Sequence, residues 1–365
     1  MIPRQRLLDA HLAAASFYRQ ALESSRGPRH YLVARGAGEA LDDRRWEIGY
    51  APPGWTNLLT HLEASGFSHK EIHAAGLAVQ TRRGALIDRF RERVMFGIHD
   101  ENGELIGFIG RCPPALSTGG SAGVSGAAPK YLNSPATDLY TKGRELFGLA
   151  EQANALDHGA TAALVEGPLD VLAVAQLASR SAVQVAAVST CGTTVRPEQV
   201  DLLLGHSRGE VIVAYDGDDA GHKAARTAYE RLSGRVDRVW AAPLPGGEDP
   251  GSLAISDPAR LLKALGSRTP LADQLVDDLV GQCQLDNAEA RVAALHHSTR
   301  VIAGFAPADV SRQVARIAAR LGFPPDLVTE DLTAALSRKS SIAPPRAGVI
   351  HSRGRPAATA PGLTQ

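Results

Sequence analysis

Cysteine, methionine and aromatic residues are scarce in this chain. Of its 365 residues, three are cysteine, two are methionine and three are tryptophan. The cysteines, Cys112, Cys191 and Cys283, are odd in number and far apart, and no Cys-x-x-Cys pair occurs. This pattern excludes a disulfide framework and a zinc ribbon. We therefore expect the thiols to be small packing residues, and we expect no zinc site.

Long apolar runs are also absent. No run approaches the ~18 residues that a membrane-spanning helix needs. The first 14 residues carry charges throughout and lack the apolar segment of a signal peptide. Neither an HExxH zinc motif nor a phosphate-binding GxxxxGK[ST] loop occurs, which excludes two common enzyme classes. We expect a cytoplasmic protein without membrane contacts.

The charge of the chain is balanced overall but unevenly distributed. Lys and Arg number 39, as do Asp and Glu. Residues 1–150 carry 18 basic and 15 acidic residues, residues 151–337 carry 16 and 24, and the last 28 carry five and none. A basic front and an acidic middle would suit an anionic polymer that meets a metal-binding carboxylate centre. Ordinary charge variation between domains explains the same numbers.

Strand and helix patterns alternate after residue 150. We predict buried strands at 161–167, 183–190, 210–218 and 236–245, with helices between them. This order is typical of a parallel sheet with helices on its faces, and ligands bind such sheets at the carboxyl ends of the strands.

The flanking segments have other patterns. Residues 11–62 read as mostly helical, with a turn at Gly49–Gly54. The Asn-Gly pair within Asp100–Gly103 lies between apolar runs and predicts a hairpin. Residues 116–128 are rich in glycine and serine, and we expect a flexible loop there.

The fold class predicted is therefore α/β, or α+β for the chain as a whole. We expect a mixed α/β, basic N-terminal subdomain at 1–148 and a parallel-sheet domain at 149–262. A small helical bundle at 263–337 and a disordered tail at 338–365 complete the chain.

Carboxylates follow two of the predicted strands. Glu166 ends the first strand, and Asp216 and Asp218 end the third. If the two strands are near neighbours, the three side chains converge at one sheet edge, where a cation such as Mg²⁺ must neutralise them. The alternative is that Asp216–Asp219 is only a turn and a helix cap.

The sequence around these carboxylates resembles that of the bacterial DnaG-type primases, in the RNA-polymerase core that contains their TOPRIM domain. The resemblance extends from about residue 11 to about 335. The segments that carry it are IDRFRERVMFGIHDENGELIGFIGR, PKYLNSPATDLYTKGRELFGL, LVEGPLDVLAV, VSTCGTTVRPEQVDLL, VIVAYDGDDAGHKAA and LPGGEDP.

The resemblance implies a site and a set of ligands. It implies catalysis by Glu166, Asp216 and Asp218, which with Asp170 and Asp249 form the metal site. Mg²⁺ is the expected ion, with Mn²⁺ as an alternative, and Glu166 is either a ligand or a general base. The implied nucleic-acid and nucleotide-binding residues are Arg35, Arg111, Lys130, Asn133, Lys142 and Arg144. We expect Lys130→Ala and Arg111→Ala to weaken binding and to spare folding, because exposed charges rarely contribute more than ~1 kcal/mol.

The resemblance also implies a function. It is synthesis of short RNA primers for replication, on single-stranded DNA and from ribonucleoside triphosphates. We expect this chain to lack the family's zinc ribbon and helicase-contacting domain, so a replicative helicase or a separate zinc-ribbon protein are the partners to expect. Gly251 stands where the family has an acidic residue, which predicts weaker binding of a second metal. Two alternatives stay open: a catalytically weak TOPRIM nucleic-acid-binding accessory protein of a mobile element, and a TOPRIM nuclease.

Overall fold

The N-terminal third of the chain builds an antiparallel sheet against helices. The computed structural model describes residues 2–113, 129–192, 194–207, 209–283 and 285–342. The predicted loop at 116–128 and the tail beyond 342 lie outside these ranges. The elements of this part are α1 (Arg4–Glu23), α2 (Arg26–Ala34), β1 (Ile48–Ala51), α3 (Asn57–Ala64), α4 (His69–Ala74), β2 (Ala78–Gln80), β3 (Leu86–Asp88), β4 (Arg93–His99), β5 (Leu105–Arg111) and β6 (Tyr131–Asn133). Its main sheet has the order β1-β4-β5-β6, and β2 pairs with β3.

The predicted hairpin is confirmed as β4 and β5. The Asp100 carboxylate accepts hydrogen bonds from the backbone N–H groups of Asn102 (2.9 Å) and Glu104 (3.0 Å), and Gly103 has a φ of 76°. The predicted turn at Gly49–Gly54 is wrong in its first half, because Ile48–Ala51 is strand β1. A Cβ at Gly49 would lie 2.5 Å from the Cβ of Tyr18. The glycine therefore serves the close approach of α1 to the strand.

The middle of the chain forms the predicted parallel sheet. Its elements are α5 (Leu149–Asp157), β7 (Thr161–Val165), α6 (Pro168–Ser179), β8 (Val185–Ser189), α7 (Pro197–His206), β9 (Glu210–Val213), α8 (Asp219–Leu232), β10 (Arg238–Ala241), α9 (Pro250–Ser256), α10 (Pro258–Gly266) and β11 (Thr269–Pro270). The strand order is β11-β10-β9-β7-β8, and only β11 is antiparallel to its neighbour. Helix α8 begins at Asp219, directly after its N-cap residue Asp218.

A helical bundle follows, as predicted. It consists of α11 (Leu271–Gly281), α12 (Ala288–Ile302), α13 (Pro307–Leu321) and α14 (Pro325–Ile342). The last helix continues past residue 337, where the tail was expected to begin. The expected boundary between 262 and 263 falls inside α10. In the described ranges, no helix combines the length and the apolarity that crossing a bilayer requires.

The two faces of the parallel sheet are covered by different parts of the chain. Ala162 and Leu164 of β7 pack into a core that includes the bundle. Ala163 and Val165 point the other way, into a core shared with Trp46 and other N-terminal residues. Successive strand residues face opposite sides of a sheet, and here both sides are buried. All three parts of the chain are therefore joined through this sheet.

Helix α1 contains a buried histidine, His11, whose protonation should make the stability of the fold depend on pH. His11 is 0% exposed, and its Nδ1 lies 2.8 Å from the Leu7 carbonyl oxygen. Burial lowers its pKa to about 4, whereas an unfolded histidine has a pKa of about 6.5. Between these values the unfolded chain binds a proton that the folded chain does not, so stability falls as pH falls through this window.

When the pH falls from 7 to 4.5, the wild type should lose about 2–3 kcal/mol more unfolding free energy than the His11→Leu variant does. Urea unfolding at the two pH values measures this. The exposed His30 on α2 supplies the control, since His30→Leu should keep the wild-type pH dependence. Equal pH dependence in the His11 variant and the wild type would show that His11 does not titrate in this window.

Candidate functional site

Glu166 and Asp216 meet at the carboxyl edge of the parallel sheet. Glu166 directly follows β7, and Asp216 lies three residues beyond the end of the adjacent strand β9. The backbone N–H of Asp216 lies close enough to the Glu166 carboxylate to lower its pKa. Neighbouring parallel strands end at the same edge, which is why two residues 50 positions apart come into contact.

Asp218 begins the helix behind this edge. Its Oδ1 accepts a hydrogen bond from the backbone N–H of Gly221 (2.8 Å), as a helix N-cap does. Asp218 is therefore the N-cap of α8. Capping does not remove its charge from the site, since Asp218 raises the pKa values of both Glu166 and Asp216.

Asp170 accepts hydrogen bonds from the N-termini of two helices next to this edge. Its two oxygens accept backbone hydrogen bonds from Gly167 (3.1 Å) and Gly251 (3.2 Å), at the starts of α6 and α9. A Cβ at Gly251 would lie 3.0 Å from Asp170 Oδ1 and 3.2 Å from Asp249 Oδ1. An acidic side chain at position 251 would therefore be crowded by the carboxylates of Asp170 and Asp249 and repelled by their charges.

Asp249 has partners of its own. It caps α9 by accepting a hydrogen bond from the Ser252 N–H (2.6 Å), and its Oδ2 lies 3.4 Å from Nη2 of Arg35. Burial would raise the pKa of Asp249, but the Ser252 hydrogen bond and the Arg35 charge outweigh it and hold the pKa below its usual value.

Burial and the charges of neighbouring carboxylates raise the pKa values of three members of this group, Glu166, Asp170 and Asp216. Burial, followed by the charges of the four other carboxylates, raises the pKa of Asp216 to about 7. Burial and the Asp249 charge raise that of Asp170 to about 6, and burial is the main cause that raises the pKa of Glu166. Clustered anions of this kind are unfavourable unless a cation or a protonated partner joins them.

The donor set fits a hydrated magnesium ion. The carboxylates of Glu166 and Asp218 lie near enough to Asp216 to raise its pKa, so the site offers three oxygen-donor groups. Among the described residues, no three His, Cys, Asp or Glu side chains surround one point closely enough to hold an ion by themselves. Mg²⁺ keeps several waters and takes substrate phosphates as further ligands, so it does not require such a cage.

The basic residues fall into two groups, of which the first is exposed. Lys130 acts on the charge of Glu166 and lowers its pKa, and Lys142 acts in the same way on the thiol of Cys191. Lys130, Lys142 and Arg144 are all exposed. Arg144 lies in a turn with Lys142, where its N–H donates to the Thr141 carbonyl (3.1 Å).

The second group has partners within the protein. Asn133 donates to the Cys191 carbonyl oxygen (3.0 Å), which links β6 to the loop after β8. Arg35 pairs with Asp249. Arg111 is only 7% exposed, and its Nε donates to the Tyr31 hydroxyl (2.5 Å) while Nη1 donates to Tyr131. Cys191 also suits its expected packing role, because burial raises the pKa of its thiol to about 12.

Known protein families and solved structures resemble this chain in both of its first two parts. Residues 17–153 match the family described as the DNA primase catalytic core, N-terminal domain, and residues 163–254 match the family described as Toprim-like. The crystal structure of the RNA polymerase domain of Mycobacterium tuberculosis primase DnaG, in complex with double-stranded DNA, is 34% identical, with a TM-score of 0.71, and the match covers 89% of this chain and 100% of that one. The chain belongs to the DnaG primase family.

Two further comparisons also match DnaG primases. The DNA primase of Mycobacterium tuberculosis is 35% identical over 311 residues, which are 82% of this chain and 46% of that protein. A DnaG primase catalytic domain bound to single-stranded DNA is 31% identical, with a TM-score of 0.64, over 87% of this chain and 98% of that one. The resemblance and the α/β fold predicted from the sequence are thus confirmed. This chain spans about half the length of the curated DnaG primases it matches.

The expectation that Arg111 is an exposed charge is wrong. Strand β5 is buried along its whole length, and Tyr31 and Tyr131 enclose the guanidinium at its end, 5.9 and 5.0 Å from the two ring centres. Neither tyrosine was among the binding residues predicted from the sequence. Tyr31 lies 80 residues from Arg111, so no local pattern connects them. Tyr131 could have been noticed, because it lies within the segment KYLNS.

We therefore expect Arg111→Ala to lower the unfolding free energy by about 2–4 kcal/mol, because two hydrogen bonds to a charged group and their packing are lost. Lys130→Ala should stay within about 0.5 kcal/mol of the wild type, since it removes an exposed charge. Urea denaturation of the two variants side by side measures the difference. Equal stability would mean that the tyrosine enclosure contributes nothing to the fold.

Proposed function

We propose that this chain synthesises RNA primers on single-stranded DNA, joining ribonucleoside triphosphates in a metal-dependent nucleotidyl transfer. The observation that carries the proposal is the contact of Glu166 with Asp216 at the sheet edge, with Lys130 within electrostatic reach of Glu166. A surface that only bound nucleic acid would gain nothing from clustered anions beside a phosphate backbone. Membership of the DnaG family supports the same conclusion.

Glu166, Asp216 and Asp218 would hold the ion, Mg²⁺ or in its place Mn²⁺. When bound, such an ion lowers the pKa of an attacking 3′-hydroxyl and neutralises charge on the α-phosphate and the leaving pyrophosphate. We propose that Asp170 and Asp249 support this site from behind. Asp170 fixes the start of α6 next to Glu166, and Asp249 fixes Arg35.

Lys130, Lys142 and Arg144 would contact phosphates of the template or the nucleotide. Exposed cations of this kind position a strand without reading its sequence. Arg35, Arg111 and Asn133 have protein partners, and we propose that they hold the basic subdomain against the carboxylate edge. Asn133 makes this link directly, through the Cys191 carbonyl.

The proposal is tested by supplying the chain with a mixed-sequence single-stranded DNA template, labelled ribonucleoside triphosphates, and Mg²⁺ or Mn²⁺. We expect template-dependent oligoribonucleotides. DNA binding without incorporation under either metal would instead favour the accessory-protein alternative, and nicking of supercoiled plasmid would favour the nuclease. Either of these results without RNA synthesis would refute the proposal.

A further inference from the structure

A small cavity lies behind Asp216, on the side of the sheet that faces the helical bundle. It lies between the ends of β9 and β10, the first turns of α8 and the start of α11. Its volume is about 20 Å³. A water molecule needs at least about 10–15 Å³, so the cavity is large enough for one water and too small for an organic ligand.

Three of the side chains that line this cavity have a buried polar atom without a hydrogen-bond partner. They are Oδ1 of Asp216, Nδ1 of His222 and Oε1 of Gln274. Buried polar groups in folded proteins are nearly always hydrogen-bonded, to protein or to ordered water. Three such atoms around one water-sized space therefore point to a shared partner.

Asp278 orients two of these three side chains. Gln274 lies one turn before Asp278 on α11, near enough for its amide to lower the pKa of the Asp278 carboxyl. Only the amide nitrogen of glutamine can donate to a carboxylate, so Oε1 of Gln274 is left for another partner. Nε2 of His222 lies 3.8 Å from Oδ2 of Asp278, which leaves Nδ1 of that ring as the free nitrogen.

The requirements of the three atoms match a single water molecule. Carboxylate and amide oxygens accept hydrogen bonds, and a protonated ring nitrogen donates one. A water has two hydrogens to donate and lone pairs to accept. We propose that one water fills the cavity, donates to Asp216 Oδ1 and Gln274 Oε1 and accepts from the Nδ1–H of a His222 ring that carries protons on both nitrogens, with its Nε2–H facing Asp278. His222 and Gln274 are then positioning residues for Asp216.

This inference rests on the proposed function for its consequence. Partners that hydrogen-bond to a metal ligand fix its orientation, and their loss typically costs about 10–100-fold in metal affinity. The water would extend this support to α11, which belongs to the bundle. The bundle would then help to shape the metal site without supplying a ligand.

Two measurements on the full chain test the proposal. The first is a crystal structure at a resolution that shows ordered waters, where we expect density within hydrogen-bond distance of all three atoms. The second is Mn²⁺ affinity, measured by electron paramagnetic resonance of the free ion. His222→Leu and the similar-sized Gln274→Met should each weaken Mn²⁺ binding by about 10–100-fold. His222→Asn should stay close to the wild type, because its amide can donate from near the position of Nδ1.

His296→Leu is the matched control, because it removes a similar histidine–aspartate pair (Nδ1 to Asp331 Oδ1, 2.7 Å) on α12, outside the cavity. It should leave Mn²⁺ affinity unchanged. A dry cavity, or wild-type affinity in both His222→Leu and Gln274→Met, would overturn the inference. Water density in a protein that binds no Mn²⁺ would support the water site while refuting the proposed metal centre, so the two failures are distinguishable.

Discussion

Asp216→Asn is expected to slow nucleotide incorporation by about 10²–10³-fold or more, the usual loss when a preorganised charge-stabilising group is removed. The same variant should bind single-stranded DNA at least as tightly as the wild type, because it removes a negative charge from the edge where we propose that phosphates bind. It should also be the more stable protein in metal-free buffer at pH 8, where four other carboxylates act on the Asp216 charge. Primer synthesis, DNA binding and urea unfolding measure the three effects.

The matched control for this prediction is Asp237→Asn. Asp237 is exposed and adjoins Gly209, at the amino edge of the same sheet, so it undergoes the same chemical change away from the site. Its activity should remain that of the wild type. If Asp216→Asn retained full primer synthesis, Asp216 would have no part in catalysis, and the proposed metal centre would have to be abandoned.

Gly221→Ala is expected to damage the site through the backbone. A Cβ at this position would lie 2.0 Å from the Asp216 carbonyl oxygen and 2.8 Å from its carbonyl carbon. No side-chain rotation can relieve a clash with backbone, so α8 or the Asp216 segment must move. We expect a loss of about 3 kcal/mol in unfolding free energy, together with the loss of Mn²⁺ binding.

Gly205→Ala is the control for Gly221→Ala. Gly205 also lies in a helix, α7, but its added Cβ would meet nothing within 4 Å. Alanine is the better helix former, so this variant should gain up to about 1 kcal/mol. Equal stabilities of the two alanine variants would contradict the close contact between α8 and the Asp216 backbone.

Local sequence patterns predicted the parts of the fold that depend on neighbouring residues. The β4–β5 hairpin follows from Asp100 and Gly103, and the meeting of Glu166 with Asp216 follows from strand alternation and the geometry of parallel sheets. The strand at Gly49 and the burial of Arg111 were missed. Each depends on a residue distant in sequence, Tyr18 in one case and Tyr31 in the other, and a single sequence gives no sign of such contacts.

The apolar core shared by the N-terminal part and the parallel sheet has a mechanical consequence. Trp46 and Phe96 on one side and Val165 and Leu169 on the other belong to one continuous buried cluster. A hinge between the two parts would have to pull this cluster apart and expose it to water, at a cost of about 25 cal/mol for each Å² of apolar surface. Lys130 and Glu166 should therefore keep a fixed spacing. In the proposed reaction, the template strand and the nucleotide would then move past an edge that does not open or close.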